Sequence, residues 1–268
     1  MENVLLAFTL TLMAGLATGI GSLLAFFTST TNTKFLSLSL GFSAGVMIYV
    51  SMIEIFVKAQ DALVGALDDE LGHWLTVVGF FSGMLLIALI DKVIPKQGNP
   101  HEVKKVEDMS KTKQTVSDPA LLKMGTFTAL AIAIHNFPEG IATFTSALQD
   151  PGLGLAIAVA IAIHNIPEGI AVSVPVYFST GDKRKAFKLS FLSGLSEPIG
   201  AIAAYFLLMP FLNDVMFGMI FAAVAGIMVF ISLDELLPAS KKYDEAHLSI
   251  YGLIGGMAVM ALSLLLFI

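Results

Sequence analysis

Two twelve-residue segments of this chain combine metal-binding residue types with helical spacing. AIAIHNFPEGIA at 131–142 and AIAIHNIPEGIA at 160–171 agree at eleven of twelve positions, 29 residues apart. Each sets a histidine and a glutamate at i and i+4, His135 with Glu139 and His164 with Glu168. Residues at that spacing lie one turn apart on one helix face, so an imidazole nitrogen and a carboxylate can grip one cation from each helix. Asn136 and Asn165 stand three residues before the same glutamates, rotated by about 100° from the histidines. Each glutamate therefore lies between two lines of donors and can bridge two ions. Pro138 and Pro167 lack an N–H, which leaves the carbonyls of Ile134 and Ile163 without their helical partners and bends the helices. A third acid followed by proline, Glu197, occurs in GLSEPIG. The donors are nitrogen and oxygen, and the chain has no cysteine. Such a set suits Zn²⁺, Fe²⁺, Mn²⁺ or Co²⁺; Mg²⁺ and Ca²⁺ favour all-oxygen shells, and Cu⁺ favours sulfur.

The elements that must position these residues follow from composition. Of 268 residues, 56% are hydrophobic and 13% charged, with a net charge of −6 and a mean hydropathy of +0.83. A soluble domain carries about 25% charged residues; disorder requires low hydrophobicity and high charge, and nucleic-acid binding requires a basic face. All three classes are excluded, and a polytopic membrane protein remains. A spanning helix needs about 20 mostly apolar residues. Eight stretches qualify, at roughly 3–27, 34–57, 72–92, 121–147, 152–178, 186–208, 213–237 and 247–268. Period-2 alternation is absent, so the fold class is all-α, with one transmembrane domain over 1–268, rather than a β-barrel. The first stretch is expected to be a span and not a signal peptide, since no Lys or Arg precedes Lys34. Gly pairs at i, i+4, such as Gly15/Gly19 and Gly41/Gly45, mark close helix packing.

Basic residues orient the bundle. With the N-terminus outside, 14 of the 15 Lys and Arg fall on the inner side and only Lys58 outside. The positive-inside rule therefore predicts eight spans with both termini outside, in a cytoplasmic (inner) membrane. The polar stretch 95–119 becomes a cytosolic loop between spans three and four. The acidic stretch 61–70 becomes an outer connector, read as a solvated turn.

His135 and His164 each lie about halfway through their spans, and consecutive spans run antiparallel, so both motifs meet near mid-membrane. Charge there costs roughly 2.5–3.5 kcal/mol per group even on the lenient insertion scale, so His135, Glu139, His164 and Glu168 require compensation, by a cation or by a neutral hydrogen-bonded His–Glu network, and a third carboxylate beside them, Glu197, is repulsive without a cation. Paired interruptions of corresponding spans point to a transporter's substrate site. Met47, Ser51 and Glu54 share one face of span two; Met47 reads first as packing, and Glu54 as either an entrance group or the partner of Lys58. Asp91, beside Lys92, reads as interfacial, whereas Asp234 and Glu235 line an exit or are solvated at the interface. His73, His101 and His247 receive no role.

HNFPEG in span four, HNIPEG in span five, SEPIG in span six and the longer loop after span three resemble the ZIP family of metal-ion transporters over essentially the whole chain. The resemblance implies a ZIP-type 3+2+3 bundle and a binuclear site. One metal would be held by His135, Glu139, His164 and Glu168 with Met47, the other by Asn136, Glu139, Asn165, Glu168 and Glu197. It further implies uptake of zinc first, then iron, manganese, cobalt and cadmium, with the metal as cargo and no cofactor or catalytic residue. Dimerisation and an elevator-like motion of spans one, four, five and six against the others are implied as well. The loop between spans three and four is often His-rich in the family; here it holds only His101, which argues against metal sensing by it. An intramembrane metal-dependent hydrolase would also place His and Glu at mid-depth, but neither HExxH nor GxSxG is present. A transporter of small organic cations coupled to metal or protons is the remaining rival, separable by competition because zinc would then fail to move stoichiometrically.

Because the chain has no cysteine, orientation is open to single-cysteine labelling. Asp68→Cys should react with a membrane-impermeant maleimide in intact cells, and Lys113→Cys only after lysis. The reverse pattern would invert the topology.

Overall fold

The computed structural model describes residues 2–27, 33–93, 119–208, 213–242 and 247–266. Among them the chain forms eight long helical elements. Helix α1 is Glu2–Phe27; α2 runs Thr33–Val50, through a π-helical turn Ser51–Ile55, into Phe56–Ala66; α3 is Asp69–Val93. Helices α4 (Pro119–Gln149) and α5 (Pro151–Thr180) carry the two motifs. Helix α6 is Lys183–Gly194 and Ser196–Ala203, broken at Leu195 and followed by a π turn Ala204–Leu208. Helix α7 is Asp214–Ile231, a π turn Ser232–Leu236 and Leu237–Lys242, and α8 is Leu248–Leu266. Apart from α4, all of these are long and apolar enough to cross a membrane; α4, with 31 residues, is the eighth. Three helices precede the α4–α5 pair and three follow it, an all-α 3+2+3 bundle. The loop expected at 95–119 lies, up to residue 118, outside the described residues.

The second span is longer than expected. Helix α2 continues to Ala66, and only Leu67 and Asp68 separate it from α3. The extension persists because 56–66 is amphipathic: Ala59 and Leu63 are buried against Gly218 of α7. Side-chain caps sharpen the short turns. Asp68 accepts from the Leu71 amide at 2.8 Å, and Asp150 from those of Gly152 and Leu153 at 2.9 and 3.2 Å, with Pro151 at the first helical position. Gly181, at φ +66°, closes α5 in a left-handed conformation that a side chain would strain.

Helix packing divides the eight helices into two groups. In the group α1, α4, α5 and α6, a Cβ on Gly169 of α5 would collide with the Thr18 carbonyl of α1, and one on Gly21 of α1 with the Ile166 carbonyl of α5. Gly140 of α4 and the Glu197 carbonyl of α6 are related in the same way, and so are Gly200 of α6 and the Phe137 carbonyl of α4. In the group α2, α3, α7 and α8, Gly45 abuts Leu253 and Gly256 abuts Phe42, while Gly83 abuts Ala223 and Gly226 abuts Phe80. Among the described glycines, each backbone-to-backbone approach of this kind stays inside one group. Small residues let main chains interlock, so each group is a notched, rigid unit. Between the groups the contact is smooth. Leu153, Ala156, Ile157, Ala160 and Ile161, one face of α5, join the core formed by α2, α3 and α7.

The seam is testable by substitution. Gly169→Ala should destabilise the detergent-solubilised protein by about 1–3 kcal/mol, the usual cost of overpacking. Gly65→Ala, where a Cβ meets nothing, should leave the thermal midpoint unchanged or slightly higher.

Candidate metal centre

The smooth face of α5 leads directly into the motif residues, since Ile157, Ile161, His164 and Glu168 follow one another at three- and four-residue steps. Helix α4 continues without interruption through Pro138, and α5 through Pro167. His135, Asn136, Glu139, His164, Asn165, Glu168 and Glu197 are all buried. His164 is the hub: its Nε2 lies 3.3 Å from Glu139 Oε2 and 4.0 Å from Glu168 Oε1. The other oxygen of Glu168 accepts from the Asn136 amide at 3.2 Å when that amide is oriented with its nitrogen toward acceptors, a position in which it also donates to the Ile132 carbonyl at 3.1 Å. Glu168 thus touches an imidazole with one oxygen and an amide with the other. The Asn165 amide donates to the Glu197 carboxylate and to the Ala14 carbonyl of α1, the latter at 2.9 Å. Asn165 Oδ1 and Glu197 Oε2 have no protein partner among the described residues.

Backbone packing sets these positions. The break of α6 at Leu195 puts Glu197 in the first turn of a new helical segment. Gly140, adjacent to Glu139, lets the Glu197 main chain close on α4. Ser196 and Ser193 donate their hydroxyls to the carbonyls of Ser193 and Ser190, at 2.6 and 2.7 Å, which satisfies main-chain groups around the break. The glycine of each HNxPEG motif therefore serves the site by letting two backbones meet.

His135 occupies a different place. Its Nε2 lies 3.4 Å from Asp91 Oδ1 at the end of α3 and 3.2 Å from Glu235 Oε1 in the π turn of α7. One ligand atom from each of these residues falls within 4.8 Å of the others, a spacing that could hold a metal ion. Sequence reading assigned Asp91 to the interface and left Glu235 between an exit and plain solvation. The structure brings both to the first motif histidine, with Glu235 buried and the Asp91 side chain 25% exposed. The available signal was depth: α3 ends, and α7 nearly ends, at the same end of the bundle, as matching of antiparallel spans shows. The π turn at Ser232–Leu236 is not legible in the local sequence.

The remaining candidates separate cleanly. Met47 is fully buried in the apolar core with Ile157 and Ile161. Glu54 pairs with Lys58 one turn along at 3.3 Å, and Lys58 also reaches Asp150, in the α4–α5 turn, at 3.6 Å. The latter contact joins the two helix groups, as does the contact of His135 with Asp91 and Glu235.

No Lys or Arg occurs between Lys123 and Lys183 or between Lys188 and Lys241. Three buried carboxylates thus stand in two segments without Lys or Arg, which requires compensation from a cation or protons. The comparisons agree with that chemistry: residues 91–264 match the model of the ZIP zinc transporter family. The chain belongs to the ZIP zinc transporter family. It is 74% identical over 266 residues to a protein of Lysinibacillus sphaericus named zinc transporter ZupT, covering 99% of both chains. A protein of the same name from Oceanobacillus iheyensis is 73% identical over 266 residues, again 99% of each. One from Clostridium perfringens is 61% identical, covering all of this chain and 98% of that one. This ZIP protein is a multi-pass membrane transporter of metal ions and not an enzyme.

The separation of His135 from His164 gives a double-mutant test in zinc titrations of the purified protein. His135→Ala and Glu235→Gln should be non-additive by about 0.5–3 kcal/mol, whereas His135→Ala and His164→Ala should add within about 0.5 kcal/mol.

Proposed function

We propose that this ZIP protein carries zinc, and with it Fe²⁺, Mn²⁺, Co²⁺ and Cd²⁺, across the cytoplasmic membrane into the cell through the centre around His164. The observation that carries the reading is the buried convergence of Glu139, His164 and Glu168 with Asn136 and, through Asn165, Glu197. These are nitrogen and oxygen donors at mid-helix in two segments without Lys or Arg. The relatives' names supply zinc as the first cargo. Glu168, between imidazole and amide, supports a pair of ions sharing the two motif glutamates. Met47 is outside this reading because it packs in the apolar core.

His135 fits a receiving position. The α1, α4, α5, α6 group is offset along the bundle: His135, at mid-helix, is level with Asp91, two residues from the described end of α3. At the opposite end the α4–α5 turn is level with Lys58, two turns short of Ala66. Both offsets run toward the part-exposed Asp91. A metal leaving His164 and Glu139 would next meet His135, one turn before Glu139 on α4, with Asp91 and Glu235 as its partners. The smooth apolar face of α5 against α2 and α7 would let the offset reverse, an elevator-like stroke between two rigid groups. Under the predicted orientation the Asp91 end is cytosolic.

Zinc influx into proteoliposomes tests the assignment. Outer-shell partners of metal sites alone cost about 10–100-fold, so Glu139→Ala with Glu168→Ala should lower influx at least that far, to the level of empty vesicles. Transport at the wild-type rate by that double variant sinks the site. In the same assay the other four metals should compete and accumulate; competition without accumulation would restrict the cargo to zinc.

A further inference from the structure

The end of the bundle that carries α6's first turn holds a second feature with a recognisable ligand chemistry. A cavity of about 500 Å³ opens there between α4 and α6, lined by Thr126, Asp182, Arg184, Lys185, Lys188 and Leu189. Arg184 and Lys188 are four residues apart and Lys185 and Lys188 three, so the three cations share one helix face. Among the described residues none of the three forms an ion pair with an acidic side chain. The acid of the lining, Asp182, is committed to main chain: its Oδ1 accepts from the amides of Arg184 and Lys185 at 2.8 and 3.2 Å. The helix N-terminus is therefore already capped, and the side-chain cations are what the cavity offers. Among the described lining residues three positive charges stand against one negative.

The fourth basic residue of the turn behaves differently. Lys183 lies over the rings of Phe26 and Tyr177, 5.6 and 5.9 Å from their centres, and those rings meet edge-on at 5.8 Å. Aromatic rings of this kind collect at the membrane–water boundary. One turn beyond Lys188, α6 exposes Leu192 as a lipid-facing residue. The cavity thus sits where the helices pass from headgroups into hydrocarbon, with Leu189 on its apolar side. A guanidinium fork with two ammonium groups suits phosphate oxygens, and a net excess of two charges matches two anionic charges. Basic pockets between spans at this depth hold anionic headgroups.

We propose that this cavity binds a phosphate-bearing anion through Arg184, Lys185 and Lys188: the headgroup of an anionic phospholipid, or free phosphate of the same chemistry. The site lies on the α1, α4, α5, α6 group, away from His164, and does not rest on the transport reading. An occupied cavity would tie that group to one leaflet.

Full-length protein freed of lipid in neutral detergent decides it, with bound lipid read by native mass spectrometry and inorganic phosphate by thermal melting. Each basic residue near an anionic surface contributes about fivefold. After the opposing charge of Asp182, wild type should prefer diphosphatidylglycerol over phosphatidylcholine by about twentyfold or more. Arg184→Gln/Lys185→Gln/Lys188→Gln should abolish the preference, and Lys34→Gln/Lys241→Gln, at the same end in the other group, should keep it. Lys188→Gln alone, on an exposed position, should lose about fivefold and serves if the triple variant does not fold. Stabilisation of wild type but not the variant by inorganic phosphate assigns the site to a soluble anion; selective lipid retention assigns it to the leaflet. Absence of preference for either phosphate probe in wild type, or full retention by the substituted protein, overturns the proposal.

Discussion

Carboxylates buried at mid-helix, with no Lys or Arg in the middle of their own helices, impose the governing constraint on this protein. Glu139, Glu168 and Glu197 are buried at mid-helix, and the nearest Lys or Arg along the chain stand at the ends of their spans. An ion pair with lysine would satisfy such acids permanently and leave nothing to transport. A set of acids, imidazoles and amides satisfies itself only partly: His164 faces two carboxylates, while among the described residues Glu197 Oε2 and Asn165 Oδ1 have no protein partner. The deficit favours a divalent cation, and the use of neutral or exchangeable partners lets that cation leave again.

The packing answers a second demand, that the donors of a site of this kind be held in fixed positions relative to one another. Carbonyl-to-glycine contacts lock α1, α4, α5 and α6 to one another, including the Gly140–Glu197 and Gly169–Thr18 approaches beside the motif acids. The donors around His164 therefore all belong to one rigid unit. The residues that meet His135, Asp91 and Glu235, belong to the other. Contact between units is mostly apolar and unnotched, so relative displacement disturbs few directional interactions. Among the described residues, Lys58–Asp150 and the contacts of His135 with Asp91 and Glu235 are polar contacts that cross the division.

Much of this was legible one residue at a time. The eight apolar stretches reflect the length of a helix that crosses hydrocarbon, and the duplicated HNxPEG reflects the i, i+4 geometry of a ligand pair; both are local properties. Span two extends beyond its apolar stretch because its amphipathic extension owes its burial to Gly218, 155 to 159 residues away in the chain from Leu63 and Ala59. Of the two roles open to Glu54, the structure shows the pairing with Lys58, which in turn reaches Asp150.

By itself the sequence determined that this is a helical membrane protein with paired His, Asn and Glu donors at one depth, because apolar length and helical period act within a segment. Tertiary structure alone decided which of these side chains meet. His135 and Glu139 lie one turn apart on a single helix, yet one faces Asp91 and Glu235 and the other faces His164. The offset between two packed units determines which neighbours each residue of α4 meets, and that offset is a property of how helices far apart in sequence lie against one another.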